Sequence, residues 1–228
     1  MTDTPPDALM IFAAGLGTRM GPLTADRPKP MVPLAGRPLI DHALDLATGI
    51  PRIVVNTHYR AEQLSTHLAT HHPDRPIAIS HEPELLNTGG GLKAALPLLG
   101  PGPVLTLNPD VAWRGPNPLD LLRAAWRPHM AALLLLVPPG RARARQGGGD
   151  ATLAPDGRLH WGGEMVYTGA QILRTEALHD IPGPAFPLHT LWARAEPALY
   201  GLTYPGTWCD AGHPDGLEQA EAMLAEAP

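Results

Sequence analysis

MIFAAGLGTRMGPLTADRPKPM, residues 10–31, runs from an apolar segment straight into three closely spaced glycines, then to Arg19 and Lys29. Glycines there cost backbone entropy on folding, so the segment needs its backbone close to something. A fork-shaped guanidinium and a lysine held between two prolines make that something anionic. The run ALMIFAA before the first glycine reads as a buried strand. Two phosphate-binding patterns fail here. A P-loop needs Gly-Lys-Ser/Thr after the spacer, which GLGTRMGPLT lacks. A dinucleotide fingerprint needs a third glycine, but Met20 stands there, and no acidic residue follows RIVVNTHY to hold a ribose.

Outward from this stretch, strand and helix patterns alternate. PLIDHALDLATGI has helical spacing of apolar residues and starts with proline. RIVVNT, PIAISHE, PVLTLN and AALLLLV read as strands; RAEQLSTHLATHH, GGGLKAALPLL and PNPLDLLRAAWR read as helices. That alternation predicts a mainly parallel sheet covered on both faces. After Val137 the pattern changes. PPGRARARQGGGD is a loop, ATLAPDGRLHWGG a hairpin turning at Asp156 and Gly157, MVYTGAQIL a strand and GLEQAEAMLAEA a helix. The second half is expected to add antiparallel strands to the same sheet, without a linker dividing the chain.

The 228 residues suffice for one sizeable core. A net charge of −5 argues against sequence-independent nucleic-acid binding; an anionic substrate is still compatible, since a pocket can be basic in an acidic protein. Cys209 is the single cysteine, so no internal disulfide forms and a reducing compartment fits. MTDTPPDA lacks the basic start and apolar core of a signal peptide, and MAALLLLV is too short to span a bilayer. The expected location is cytoplasmic, with no nucleic-acid or membrane partner. There are 28 prolines but only two lysines, Lys29 and Lys93, both beside glycine- or proline-rich loops.

The stretch FAAGLGTRMGPLTADRPKPMVPLAGRPLI resembles, almost throughout, the signature of the sugar-1-phosphate nucleotidyltransferases: a strand, Ala-Gly-x-Gly-Thr-Arg-Met/Leu, Pro-Leu-Thr, and later Pro-Lys-Pro-Met/Leu-Pro. The resemblance is strongest over residues 8–42 and 82–110 and thinner afterwards. It implies a Rossmann-like three-layer α/β/α fold of the nucleotide-diphospho-sugar transferase type, with a mostly parallel mixed sheet. It implies one domain over 1–228, with a nucleotide-binding core to about 137 and a sugar-binding part with the C-terminal helix beyond. Ala14, Gly15, Gly17, Thr18 and Arg19 would cradle the triphosphate of a nucleotide, with backbone N–H groups aimed at the phosphates. Arg19 and Lys29 would be the catalytic cations.

Asp110 in LTLNPDVAW falls just past a strand end, where ligands collect in open α/β sheets. Asp210 in GTWCDAGHP follows a second apolar stretch. The family has an Asp in each segment, and the two would hold Mg²⁺ while leaving positions for water and phosphate oxygens. Pro109 stands where the family has glycine. HEPELLNTGGGLKAALPLLG resembles the family's second glycine-rich stretch, which places Glu82, Thr88, Gly89 and Gly90 at the nucleobase, with amides at a helix N-terminus. Lys93 either reaches a phosphate or projects from that helix. Asn108, Asp150, Glu164, Thr168 and Gly169 are the sugar-site candidates. Longer relatives meet the sugar phosphate with a lysine that this chain lacks, leaving an arginine, backbone or the metal.

The length, TGGGLKAALPLLG and TWCDAGHPDGLEQAEAML are similar to the short branch of the family that joins UTP to N-acetylmuramate 1-phosphate in cell-wall sugar recycling. Guanylyl transfer to mannose 1-phosphate, or thymidylyl or uridylyl transfer to glucose 1-phosphate, are the alternatives; a non-catalytic nucleotide- or sugar-binding regulator is the alternative of another class. The chain is expected to act as a monomer or small homo-oligomer. His67 and His71, four apart, have zinc-ligand spacing, but with no third ligand evident they read as a solvated helix face. Cys209 reads as packing in a strand, and RARAR as a substrate-facing loop.

Overall fold

The structure, a computed structural model, describes residues 6–226; residues 1–5, which open the stretch inspected for a targeting signal, lie outside the described residues. In chain order the strands and helices begin β1 (Ala8–Ile11), β2 (Pro33–Leu34), β3 (Arg37–Pro38), α1 (Leu39–Leu46), β4 (Arg52–Thr57), α2 (Ala61–His71), β5 (Ile77–His81) and α3 (Asn87–Leu99). They continue β6 (Val104–Leu107), β7 (Val111–Arg114), α4 (Pro118–Ala125), β8 (Ala132–Val137), β9 (Ala142–Arg143), β10 (Ala151–Leu153) and β11 (Leu159–Trp161). The chain ends with β12 (Val166–Leu173), α5 (His189–Ala195), β13 (Leu199–Thr203), β14 (Thr207–Asp210) and α6 (Pro214–Ala225).

Seven strands form one sheet in the order β13-β8-β12-β6-β1-β4-β5. β1 pairs in parallel with both β4 and β6, and β5 extends β4. Successive residues of β1 point to opposite faces. Leu9 and Ile11 meet Ile40, Leu44, Leu64, Leu68 and Leu122 from α1, α2 and α4. Ala8 and Met10 meet Leu92, Ala95 and Leu99 of α3 and Leu191 of α5. Each fully buried leucine contributes about 1.5–3 kcal/mol relative to exposure, so both faces must be covered. The unbroken apolar run of β8, buried along its whole length, follows from the same requirement.

The mostly parallel mixed sheet of three layers stands as expected, with one rearrangement in the second half. β12 lies between β6 and β8 and runs antiparallel to both. β13 then pairs in parallel with β8, so the second half adds one antiparallel strand to this sheet and one parallel strand. The hairpin is present as β10 and β11, with Gly157 at φ +83° in its turn. The sequence pattern missed β7 and β13; β7 forms a small sheet with β14 and β9 outside the main one. These strands carry few apolar residues at regular spacing. α6 packs Leu217, Ala220 and Met223 beside Met20, Leu34 and Cys209, and His213 Nδ1 accepts the Gly216 amide at its start. Cys209 is fully buried in β14, as its packing role requires. Among the described residues no helix is long and apolar enough to cross a membrane.

Candidate active site

The first glycine-rich loop leaves the end of β1 and is held from behind by buried polar groups. Ala13 N–H donates to Asn56 Oδ1 at 2.6 Å, and Asn56 Nδ2 donates to Glu82 Oε1 at 2.7 Å. Glu82 Oε2 accepts the Leu86 amide at 3.1 Å, and Glu82 is only 1% exposed. One carboxylate thus ties the ends of β4 and β5 to both glycine-rich segments. Gly17 sits at φ +69°, and a Cβ there would come within 2.9 Å of Lys29 Cβ and of Thr24 Cγ2. Only glycine fits this left-handed turn against the Pro-Lys-Pro segment. Thr24 closes it, donating its hydroxyl to Gly17 O at 3.1 Å.

Ala14, Gly15, Gly17, Thr18 and Lys29 line one wall of a cavity of about 460 Å³. Asn56, Glu82, Thr88, Asn108 and Asp110 line the rest. Lys29 Nζ contacts Asp110 Oδ2 directly. Arg19, half exposed, lies between two carboxylates, with Nη2 3.9 Å from Asp110 Oδ2 and Nη1 3.6 Å from Asp210 Oδ2.

The pairing of β7 with β14 brings those carboxylates together. Asp210 stands opposite Val111 in the antiparallel ladder, and Ala211 N–H donates to Asp110 O at 2.9 Å. Asp210 Oδ1 is fixed by the Gly212 amide at 2.8 Å. A Cβ on Gly212 would lie 2.7 Å from Asp210 Oδ1, 2.9 Å from Asp110 Oδ2 and 2.9 Å from Arg19 Nη2. The two carboxylate oxygens therefore flank a single point that a methyl group would fill. Such a cradle fits a small oxygen-liganded dication with positions left for water and phosphate, and Arg19 and Lys29 are ion-paired with the carboxylates.

A second cavity of about 210 Å³ shares Asn108 and Asp110 with the first and is lined also by Arg19, Arg145, Asp150, Tyr167, Thr168, Gly169 and Asp210. The register of β12 against β8 shifts between Tyr167 and Gln171, an irregularity of the kind that re-aims side chains beside active sites. Gly169 sits there at φ +83°, and a Cβ would meet Asn108 Nδ2 at 2.8 Å. Asp150 accepts from Arg145 Nη2 at 2.6 Å and from the Tyr167 amide at 2.8 Å. Arg145 Nε is buried without a partner in the protein. Burial also pushes the Tyr167 phenol well above its ordinary pKa, against the hydrogen bond with Thr106.

Not every expected residue arrives. The amides of Gly89 and Gly90 both donate to Phe186 O at 3.0 Å, so they face the 184–188 segment and not the cavity. Side chains at either position would strike Phe186 or Pro184, which explains the glycines as a packing requirement. Thr88 does line the large cavity, while its Oγ1 accepts from Leu188 N–H. The Thr168 hydroxyl donates to Leu135 O and its carbonyl accepts from Trp208 Nε1 at 2.9 Å, while the residue lines the small cavity. Glu164 is exposed and lines neither cavity. Lys93 neither reaches the site nor projects freely; it donates to Ile181 O at 2.6 Å. The solvated face expected at His67 is corrected: His67 is 9% exposed and bonded to Asp41. Asn56 and Gly212 were missed, since each acts through groups distant in sequence; Arg145 lay within RARAR, read as substrate-facing, without being singled out.

The family model described as the MobA-like NTP transferase domain matches residues 9–214. The chain is 39% identical to N-acetylmuramate alpha-1-phosphate uridylyltransferase of Caulobacter vibrioides, covering 97% of this chain and 98% of that one. It is 33% identical to the enzyme of the same name from Neisseria meningitidis serogroup B, covering 94% and 96%. Among solved structures, UDP-glucose pyrophosphorylase complexed with UDP-glucose superposes with a TM-score of 0.79 at 16% identity, covering 96% of this chain and 98% of that one; at that identity the likeness concerns the fold.

Proposed function

This chain belongs to the MobA-like NTP transferase family, and from that premise we propose that it is a sugar-1-phosphate nucleotidyltransferase that joins UTP to N-acetylmuramate 1-phosphate, giving UDP-N-acetylmuramate and pyrophosphate. Full-length identity to two uridylyltransferases of that substrate supports the choice. The observation that carries the chemistry is the convergence of Arg19, Asp110 and Asp210 on one point beside Gly212, with Asp110 common to the linings of both cavities.

The triphosphate lies in the larger cavity, its phosphates against the backbone of residues 14–18. Arg19 and Lys29 hold the anionic oxygens and neutralise charge as it shifts toward the leaving group. The sugar 1-phosphate lies in the smaller cavity, where Asp150 and the backbone of Thr168 and Gly169 meet its hydroxyls. Arg145, which lines the smaller cavity beside Asp150, is the arginine that replaces the missing lysine at the anionic oxygens of the sugar substrate. A phosphate oxygen of the sugar 1-phosphate forms the new bond to the α-phosphorus in line, the α–β bridging bond breaks, and pyrophosphate carries the charge away. The nucleophile is already anionic, so no protein base and no covalent intermediate is required; positioning does the work. Asp110 and Asp210 would hold Mg²⁺, which supplies charge neutralisation and orientation of phosphate oxygens when bound.

On this reading residues 1–137 serve the nucleotide and 138–228 the sugar, within one domain. The enzyme acts in the cytoplasm, as a monomer or small homo-oligomer, in recycling of cell-wall sugar. Pyrophosphate release measured with four nucleoside triphosphates crossed with several sugar 1-phosphates and Mg²⁺ tests it. UTP with N-acetylmuramate 1-phosphate is expected to lead. GTP in first place, or a neutral hexose 1-phosphate preferred, overturns the substrate assignment, and no release with any pair overturns the enzyme.

A further inference from the structure

We propose a second metal site, structural and of the zinc type, formed by Asp41, His67 and His72 at the junction of α1 and α2. His67 Nε2 lies 2.7 Å and His72 Nε2 2.8 Å from the same Asp41 oxygen, Oδ1. The three ligand atoms all fall within 4.8 Å of one another. Two imidazoles and one carboxylate, each through one atom, form the donor set of a borderline cation such as Zn²⁺, not of Mg²⁺. Side-chain exposures of 12%, 9% and 13% take the trio largely out of water.

The local fold explains how the trio forms. Asp41 stands in the first turn of α1, and His67 faces it from α2. α2 ends at His71, and His72 leaves helical geometry at φ −130°, ψ +44°, which turns its ring back beside His67. His71 is not a ligand. Its Nδ1–H donates to His67 O at 3.1 Å, and its ring stacks on His67 at 4.4 Å, fixing that imidazole's plane. Hydrogen-bonded neighbours of this kind orient ligating histidines. His67 and His72 also border two separate surface depressions, through which water can complete the coordination.

The site would brace the scaffold behind the N-terminal loop. One turn before His67, Gln63 donates to Asp26 O at 3.0 Å, and Tyr59 and Arg60 at the start of α2 bond to Ala25 O at 3.2 and 2.8 Å. A cation locking α2 to α1 therefore steadies the segment leading to Lys29, without touching substrate.

The test is Zn²⁺ titration of chelator-stripped full-length protein in excess Mg²⁺, followed by calorimetry and thermal unfolding. One equivalent is expected to bind, raising Tm by about 5 °C or more at a hundredfold excess over Kd. Binding should persist in the Asp110→Asn/Asp210→Asn double variant and in His71→Gln, and should disappear in His72→Gln. Should His72→Gln fail to fold, Co²⁺ added to the stripped wild-type protein decides: visible d–d bands without a thiolate charge-transfer band support the site. Absence of binding, equal binding in folded His72→Gln, loss of binding in the double aspartate variant, or a Co²⁺ spectrum of the free aquo ion overturns the proposal and leaves the trio as two histidines hydrogen-bonded to one aspartate.

Discussion

A methyl group on Gly212 would land among Asp210 Oδ1, Asp110 Oδ2 and Arg19 Nη2. Arg19 is half exposed and can swing aside, but Asp210 is held by the Gly212 amide itself. Gly212→Ala is therefore expected to lower kcat/KM by about 100-fold, roughly 2.7 kcal/mol of transition-state stabilisation, and to raise the Mg²⁺ concentration at half-maximal rate; a steady-state series at varied Mg²⁺ reads both. Arg145→Ala should raise KM for the sugar 1-phosphate about tenfold or more while changing KM for UTP little, as kinetics with each substrate varied in turn would reveal. Cys209 yields a pH prediction. Burial, with some help from the Asp210 charge and against Arg143, pushes its thiol up to about 11. The thiol is thus protonated at pH 8 and closed to solvent, and iodoacetamide should leave it largely unmodified under conditions that label the unfolded chain to completion. Arg19, Lys29, Asp110 and Asp210 were legible in the sequence because each sits in a dense local pattern of glycine, proline or strand end. Gly212 was not, because what distinguishes it is which distant groups it faces, and RARAR marked a substrate-facing loop without saying which of its arginines enters the site. Glu164 shows the opposite failure: a residue type suited to sugar hydroxyls, carried on an exposed turn.

Whole elements were easier to read than their neighbours. Apolar or β-branched runs gave six strands of the main sheet, most plainly β1 and β8, since strands buried on both faces have no polar period. β7 and β14 carry no such run, yet their pairing sets the carboxylate geometry. The 184–188 segment was illegible for a similar reason. It is irregular, and its position is fixed by backbone bonds from Gly89 and Gly90 to Phe186 O and by Lys93 bonding Ile181 O. The glycine run that opens α3 is thus a docking groove for this segment. Gly90→Ala would place a Cβ 2.1 Å from Pro184 O, a backbone atom. It is expected to destabilise the fold by about 1–3 kcal/mol, measured by urea unfolding.

At the scale of the molecule, the two cavities adjoin along Asn108 and Asp110, one floored by the first half of the chain and the other walled by the second. The halves are not separable. β12, from the second half, occupies the position between β6 and β8 of the first. A fragment ending at Val137 would leave the apolar edges of β6 and β8 unpaired. It is expected to show no cooperative unfolding transition by circular dichroism and to bind no nucleotide by calorimetry.

That interleaving has a consequence during synthesis. The ribosome delivers the sequence ALLLLV of β8 well before residues 166–173, the strand that joins it to β6. The nascent polypeptide must carry a wholly apolar strand with no strand beside it until Leu173 has emerged. Closure is consequently a late, long-range event, slow compared with local helix formation. A message cut short before that codon encodes no smaller working protein, only a chain whose stickiest stretch never finds its mate.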